Sequence, residues 1–125
     1  MEREDVEAIK GVIEKAYIEG VHGTQERETV ESGFHPDFNM LVLDGDELQK
    51  VTIDEWFHRI EGMKTSNPDL WRGETEHEFR LVDVEGRAAV AKLEVYKSGV
   101  YFSTDYMLLY RFSEGWRIVS KIFTT

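Results

Sequence analysis

The chain has 125 residues, 41% hydrophobic and 32% charged, with 25 acids against 15 Lys and Arg, a formal net charge of −10 and no cysteine. That length suits a single domain spanning 1–125 that buries roughly two thirds of its unfolded surface, so a core can form without metal or disulfide staples. Cysteine chemistry is excluded, and a field this acidic repels phosphate backbones and anionic membranes, which argues against nucleic-acid and membrane partners.

Val6, Ile9, Ile13, Ala16, Tyr17 and Gly20 recur at spacings of three and four, the stripe of an amphipathic first helix that turns Tyr17 inward. A short second helix follows Thr24 and ends near Gly33, read as a left-handed cap, with Pro36 just beyond. Phe38 to Leu43 reads as a strand closed by the turn residues Asp44-Gly45-Asp46. Thr52 and Glu55 have capping-box spacing and Val51 and Trp56 occupy the staple positions, so a third helix starts there. Its apolar stripe is Ile53, Trp56, Phe57, Ile60 and Met63, with His58 on the solvated side, and residues 65–69 form a loop.

From Glu74 onward the period is two, consistent with four strands joined by hairpins at Glu85-Gly86, Ser98-Gly99 and Glu114-Gly115. An unbroken register through these turns gives one inner face of His77, Phe79, Leu81, Ala89, Ala91, Leu93, Phe102, Thr104, Tyr106, Leu108, Tyr110, Trp116, Ile118, Ser120 and Ile122. The outer face then carries Asp105 opposite Lys92 and diagonal to Lys121, beside Val90, Met107, Leu109, Val119 and Phe123, and a register slip of one residue would turn Asp105 inward instead.

These elements make an α+β fold in which a curved antiparallel sheet forms a cone, with three helices from the N-terminal half packed on its concave face. Tyr17-Ile18-Glu19-Gly20, Phe34-His35-Pro36-Asp37, Thr104-Asp105-Tyr106 and the run Gly115 to Lys121 resemble the nuclear transport factor 2-like superfamily, and within it the branch named putative lumazine-binding. The resemblance implies a pocket between helices and sheet, on a superfold that hosts enzymes, binders and interaction modules alike. Matching Arg111-Phe112 to the strand-ending Arg-Phe of ketosteroid isomerases places Leu108 at the acid aspartate and Leu41 or Val42 at the base. Isomerase activity is therefore not carried over.

The expected pocket lining is Tyr17, Trp56, His77, Phe79, Thr104, Tyr106, Leu108 and Ser120, an apolar enclosure with a few polar groups suited to a small molecule. As an alternative, an isomerase, dehydratase or cyclase would use His77 as general base and Tyr106 or Tyr17 as donor to a developing oxyanion. His22 and His35 read as capping or loop residues. None of the four histidines has metal-ligand spacing and no glycine-rich phosphate loop is present, so neither metal nor cofactor is expected. The outer-face patch of Val90, Met107, Leu109, Val119 and Phe123 is expected to be buried in a homodimer, or to serve a non-catalytic interaction module. No apolar run approaches the roughly 20 residues of a bilayer span, and the acidic opening is unlike a leader peptide, so a soluble cytoplasmic protein is expected.

Overall fold

The computed structural model describes residues 2–125. Helix α1 (Glu2–Ile13) runs without a break into a π-helical segment, Glu14–Thr24, and is followed by the short α2 (Arg27–Glu31). Strands β1 (Phe34–Asp44) and β2 (Glu47–Thr52) form a hairpin, and α3 (Ile53–Ser66) and α4 (Pro68–Arg72) complete the first half. Strands β3 (Thr75–Glu85), β4 (Ala88–Lys97), β5 (Val100–Phe112) and β6 (Gly115–Thr124) are the meander. All the strands join one sheet in the order β2-β1-β6-β5-β4-β3, antiparallel except where β1 lies parallel to β6.

The α+β architecture is as expected, with three differences. Strand β2 supplies a hairpin partner for β1, and the expected loop at 65–69 is taken up by the end of α3 at Ser66 and by the helical turn α4. Proline at the first position of α4 suits that turn, since the N–H it lacks would have had no helical partner. The first helix widens at Glu14, and the Gln25 N–H closes the segment on the Gly20 carbonyl five residues back, at 2.7 Å. This wider winding brings Tyr17, Val21 and His22 onto the buried side.

Gly33 serves a different purpose from the one its position suggests. Its φ is not positive, so it is no left-handed cap. It is instead a point of close approach: a Cβ there would lie 2.5 Å from Ala16 Cβ and 3.0 Å from Val12 Cγ1. Helix α3 begins as expected, the Thr52 hydroxyl accepting from the Glu55 N–H and the Glu55 carboxylate accepting from the Thr52 N–H. Its face carrying Ile53, Trp56 and Ile60 is buried.

The register of the meander is where expectation and structure part. Three β-bulges, at Arg80, Phe102 and Val119, each insert one unpaired residue. Because side chains alternate with period two, a single inserted residue exchanges the faces of everything beyond it. Ala89, Ala91 and Leu93 face the helices as expected, and so do Trp116 and Ile118. Beyond Phe102, however, Ser103, Asp105, Met107 and Leu109 point inward, while Thr104, Tyr106, Leu108 and Tyr110 lie on the convex side. Beyond Val119, Lys121 and Phe123 turn inward and Ile122 outward.

The supposed outer patch is corrected accordingly. Met107 and Leu109 are core residues and Phe123 packs against that core, so they form no exposed surface. The large apolar and aromatic side chains exposed on the convex side are Leu81, Tyr101, Leu108, Tyr110 and Ile122. Any pairing of two copies through this face would have to use that set, together with the half-buried Val90 and Val119.

Candidate functional site

Helices and sheet enclose a cavity of about 630 Å³. The π-helical segment contributes Tyr17, Val21 and His22, β1 contributes Met40 and Val42, α4 contributes Trp71, β5 contributes Phe102 and Ser103, and β6 contributes Lys121 and Phe123. Helix α3 lines one side with Trp56, Arg59, Gly62, Met63 and Ser66, which recur at helical spacing along one face. Arg59, Gly62 and Ser66 are exposed, so the cavity opens along the second half of α3.

At the inner end, an aromatic cage surrounds a small polar cluster. Tyr17, Phe34, Phe38 and Trp56 pack ring against ring, with Tyr17 to Trp56 at 5.9 Å and Phe38 stacked on Trp56 at 5.8 Å. The Tyr17 hydroxyl donates to Asp105 Oδ2, and the Lys121 ammonium lies 3.8 Å from Asp105 Oδ1. Lys121 is also held over the rings of Phe123, Trp56 and Tyr17 at 4.5, 4.7 and 5.0 Å. Asp105 is fully buried behind these two partners, so it anchors Tyr17 and Lys121 without itself facing the cavity. Burial and the neighbouring carboxylate push the Tyr17 phenol well above its usual 10.0. Burial draws the Lys121 ammonium down, and the attraction of Asp105 offsets part of that.

His22 stacks on Trp71 at 5.5 Å and meets the edges of Tyr17 and Phe102 at 4.7 and 5.7 Å. It is buried, yet neither ring nitrogen has a hydrogen-bond partner among the described residues, and the Ser103 hydroxyl also lacks one. Burial, with Lys97 and Lys121 nearby, holds its imidazole well below the usual 6.5. Lys97 is itself buried, donating to Thr75 Oγ1 at 3.1 Å and lying 4.1 Å over the Trp71 ring; burial lowers its ammonium to about 8.

Below about pH 6.5 an unfolded histidine binds a proton that the folded protein excludes, so stability falls as the pH drops from there toward the folded value. The Tyr17 ring packs against His22, and the charged groups acting on it are the ammoniums of Lys97 and Lys121. The urea midpoint is expected to decline between about pH 7 and pH 5, above the range where ordinary carboxylates titrate. His22→Phe should flatten that decline, and an unchanged slope would contradict the assignment.

Of the lining expected from sequence, Tyr17 and Trp56 reach the cavity. Thr104, Tyr106 and Leu108 point away from it, displaced by the bulge at Phe102, and the Tyr106 ring instead lies under the Lys92 ammonium at 5.5 Å. Ser120 pairs with Leu108 and its hydroxyl donates to the Asn39 carbonyl at 3.1 Å. His77 is on the helix side of β3 but outside the cavity: its Nε2 is 2.8 Å from Glu14 Oε2, tying the π-helical segment to the outermost strand of the meander. Phe79 packs beside His77 at 5.4 Å, with the Lys10 ammonium over its ring. His77 and Tyr106 therefore stand on opposite sides of the sheet and cannot flank one substrate.

The residues that sequence reading missed are His22, Ser103, Asp105 and Lys121 as an inward polar set, and Arg59 at the mouth. A signal for the pair was present. Asp105 precedes Met107 and Leu109 at alternate positions, so placing that trio outward puts two large apolar residues in water while a charge pair sits unexplained beside them.

Among the described residues no helix is long and apolar enough to cross a membrane, and no cluster of His, Cys, Asp and Glu could hold a metal ion. No curated protein matches the chain. Solved structures with a similar fold include a nuclear transport factor 2-like protein of unknown function from Shewanella baltica, at 21% identity and TM-score 0.78, covering 99% of this chain and 95% of that one. A second, from Silicibacter pomeroyi, has 19% identity and TM-score 0.78, covering 99% and 98%. A third, with a cystatin-like fold, from Novosphingobium aromaticivorans, has 23% identity and TM-score 0.67, covering 97% and 81%. The model of the family described as "Putative lumazine-binding" matches residues 4–124, so the chain belongs to that family and has the nuclear transport factor 2-like fold.

Proposed function

We propose that the chain is a receptor for a flat, mainly apolar small molecule with hydrogen-bonding groups at its inner end. The observation that carries this reading is the conjunction of an aromatic-walled cavity of about 630 Å³ with His22 and Ser103 among its lining residues, both carrying buried polar atoms that have no hydrogen-bond partner among the described residues. A cavity of this size is within the usual range for drug-sized ligands. A buried donor or acceptor without a partner costs about 1–3 kcal/mol, and a ligand that pairs with it recovers that energy on binding. The inner polar set can donate through the Ser103 hydroxyl, one imidazole nitrogen and the ammonium, and accept through the other imidazole nitrogen, which suits a heterocycle with carbonyl and N–H edges. The family's printed name points to the same chemistry.

Trp56 and Trp71 both line the cavity, so their fluorescence reports occupancy. Lumazine and 2-naphthol serve as probes with and without a full set of polar edges. Quenching by lumazine is expected to weaken about tenfold in His22→Phe, the loss of roughly one hydrogen bond, while that variant folds at least as stably as the parent. A second variant tests the route in. A Cβ at Gly62 meets nothing within 4 Å, so Gly62→Trp introduces an indole into the mouth without a clash and should abolish quenching while leaving the urea midpoint intact. Absence of any fluorescence or thermal response to both probes at millimolar concentration would overturn the proposal.

A further inference from the structure

Resting on the ligand-binding reading above, we infer that the preferred ligand is an organic anion whose carboxylate is read at the cavity mouth by Arg59. In a chain of net charge −10, the charged side chains on the cavity wall are Arg59 and Lys121, both cationic; no carboxylate side chain lines it, and Thr125, the last residue of the sequence, also contributes to the wall. The carboxylate closest to the cavity's inner end, Asp105, is hidden behind Tyr17 and Lys121.

Arg59 is also under-used. Its one hydrogen bond runs from Nη2 to the neutral Gln49 amide oxygen at 3.1 Å, and no carboxylate among the described residues lies within 4 Å of it. Glu55, one turn earlier on α3, is committed to the Thr52 capping box. A guanidinium has five donors in a planar fork that matches a carboxylate, so most of its capacity is free. Gly62, the next residue on the same helix face, leaves open space beside it within the mouth.

The location of the anion follows from a comparison of the two ends. At the inner end a carboxylate would lose all of its water and meet the repulsion of Asp105, which already holds Lys121. At the mouth it keeps part of its hydration and faces an unpaired cation, while the apolar body extends inward among Trp56, Trp71 and Phe102. A bidentate arginine contact adds orientation as well as affinity.

The experiment compares naphthalene-2-carboxylate with naphthalene-2-carboxamide, equal in shape and different in charge, by tryptophan quenching and calorimetry at low salt. The carboxylate is expected to bind about tenfold more tightly than the amide, a preference that weakens as salt rises. Arg59→Gln should erase the preference by weakening the carboxylate alone, and Arg59→Lys should restore part of it as a point charge. Equal binding of the two compounds to the parent protein, or a preference that survives Arg59→Gln, overturns the inference and leaves the cavity reading standing. Failure of both compounds to bind overturns this inference, and the cavity reading falls with it only where lumazine and 2-naphthol also give no response.

Discussion

Replacing Asp105 with alanine is expected to lower stability by about 3–5 kcal/mol, among the largest losses any single substitution in this chain will produce. Lys121 would remain buried with its carboxylate gone, and the Tyr17 hydroxyl would lose its acceptor. At roughly 3–5 °C per kcal/mol for a domain of this size, the midpoint of thermal unfolding should drop by about 10–20 °C. Asp105→Asn should cost less, because the amide oxygen still accepts from Tyr17. The double variant Asp105→Leu with Lys121→Met should recover the part of the loss due to the unpaired ammonium, since a well-packed apolar pair of similar volume is commonly as stable as a buried ion pair, and should keep the about 1–3 kcal/mol owed to the Tyr17 hydroxyl left without its acceptor. Urea titrations with a common slope would measure all three. A loss under about 1 kcal/mol in Asp105→Ala would show that Asp105 does not hold the cluster together.

Trp56→Ala is the second large effect, at about 3–5 kcal/mol. The indole is 6% exposed and packs against Tyr17, Phe34 and Phe38, with the Lys121 ammonium 4.7 Å above it. Its removal would merge the ligand cavity with a new void in the aromatic cage, leaving the rings around it without partners on one side. Binding of flat ligands should be lost in parallel, which Trp71 can still report because it lines the same cavity. Trp56→Phe should keep most of the stability and part of the binding. A mild loss in Trp56→Ala, measured by urea unfolding, would mean that the cage can collapse onto the space.

Local signals carried much of this architecture. The capping box at Thr52 located α3, the three-and-four spacing from Val6 to Tyr17 located α1 and its buried face, and the alternation Ala89, Ala91, Leu93 oriented β4 correctly. The family resemblance read from short motifs agrees with the match over residues 4–124. What failed was parity. Strand β5 is apolar on both sides: Tyr106, Leu108 and Tyr110 look more like a core than Ser103, Asp105 and Met107 do, yet the latter set is inside. A bulge leaves no mark on hydrophobic period beyond the slip it causes, so a register carried unbroken through Phe102 inverts every later assignment. The π-helical segment escaped for a related reason. Residues 14–24 continue the helical stripe well enough that one extra residue per turn goes unseen, and His22 then falls inside the fold and not at its end.

The bulge at Arg80 has a consequence for how copies of this protein behave when crowded. The sheet does not close, so β3 and β2 each leave a row of backbone donors and acceptors with no neighbouring strand. Such margins are templates for aggregation by strand addition. On β3 the ladder breaks at Arg80, and Glu76, Glu78, Asp83 and Glu85 along the same strand place like charges where an incoming β3 would lie. The other margin is only the short stretch Glu47–Thr52, with Glu47 and Lys50 on it. This guard depends on ionised carboxylates, and as the pH falls to about 4.8 the molecule also loses the net charge that keeps copies apart, so fibrous or amorphous precipitation should begin from these strands near that pH.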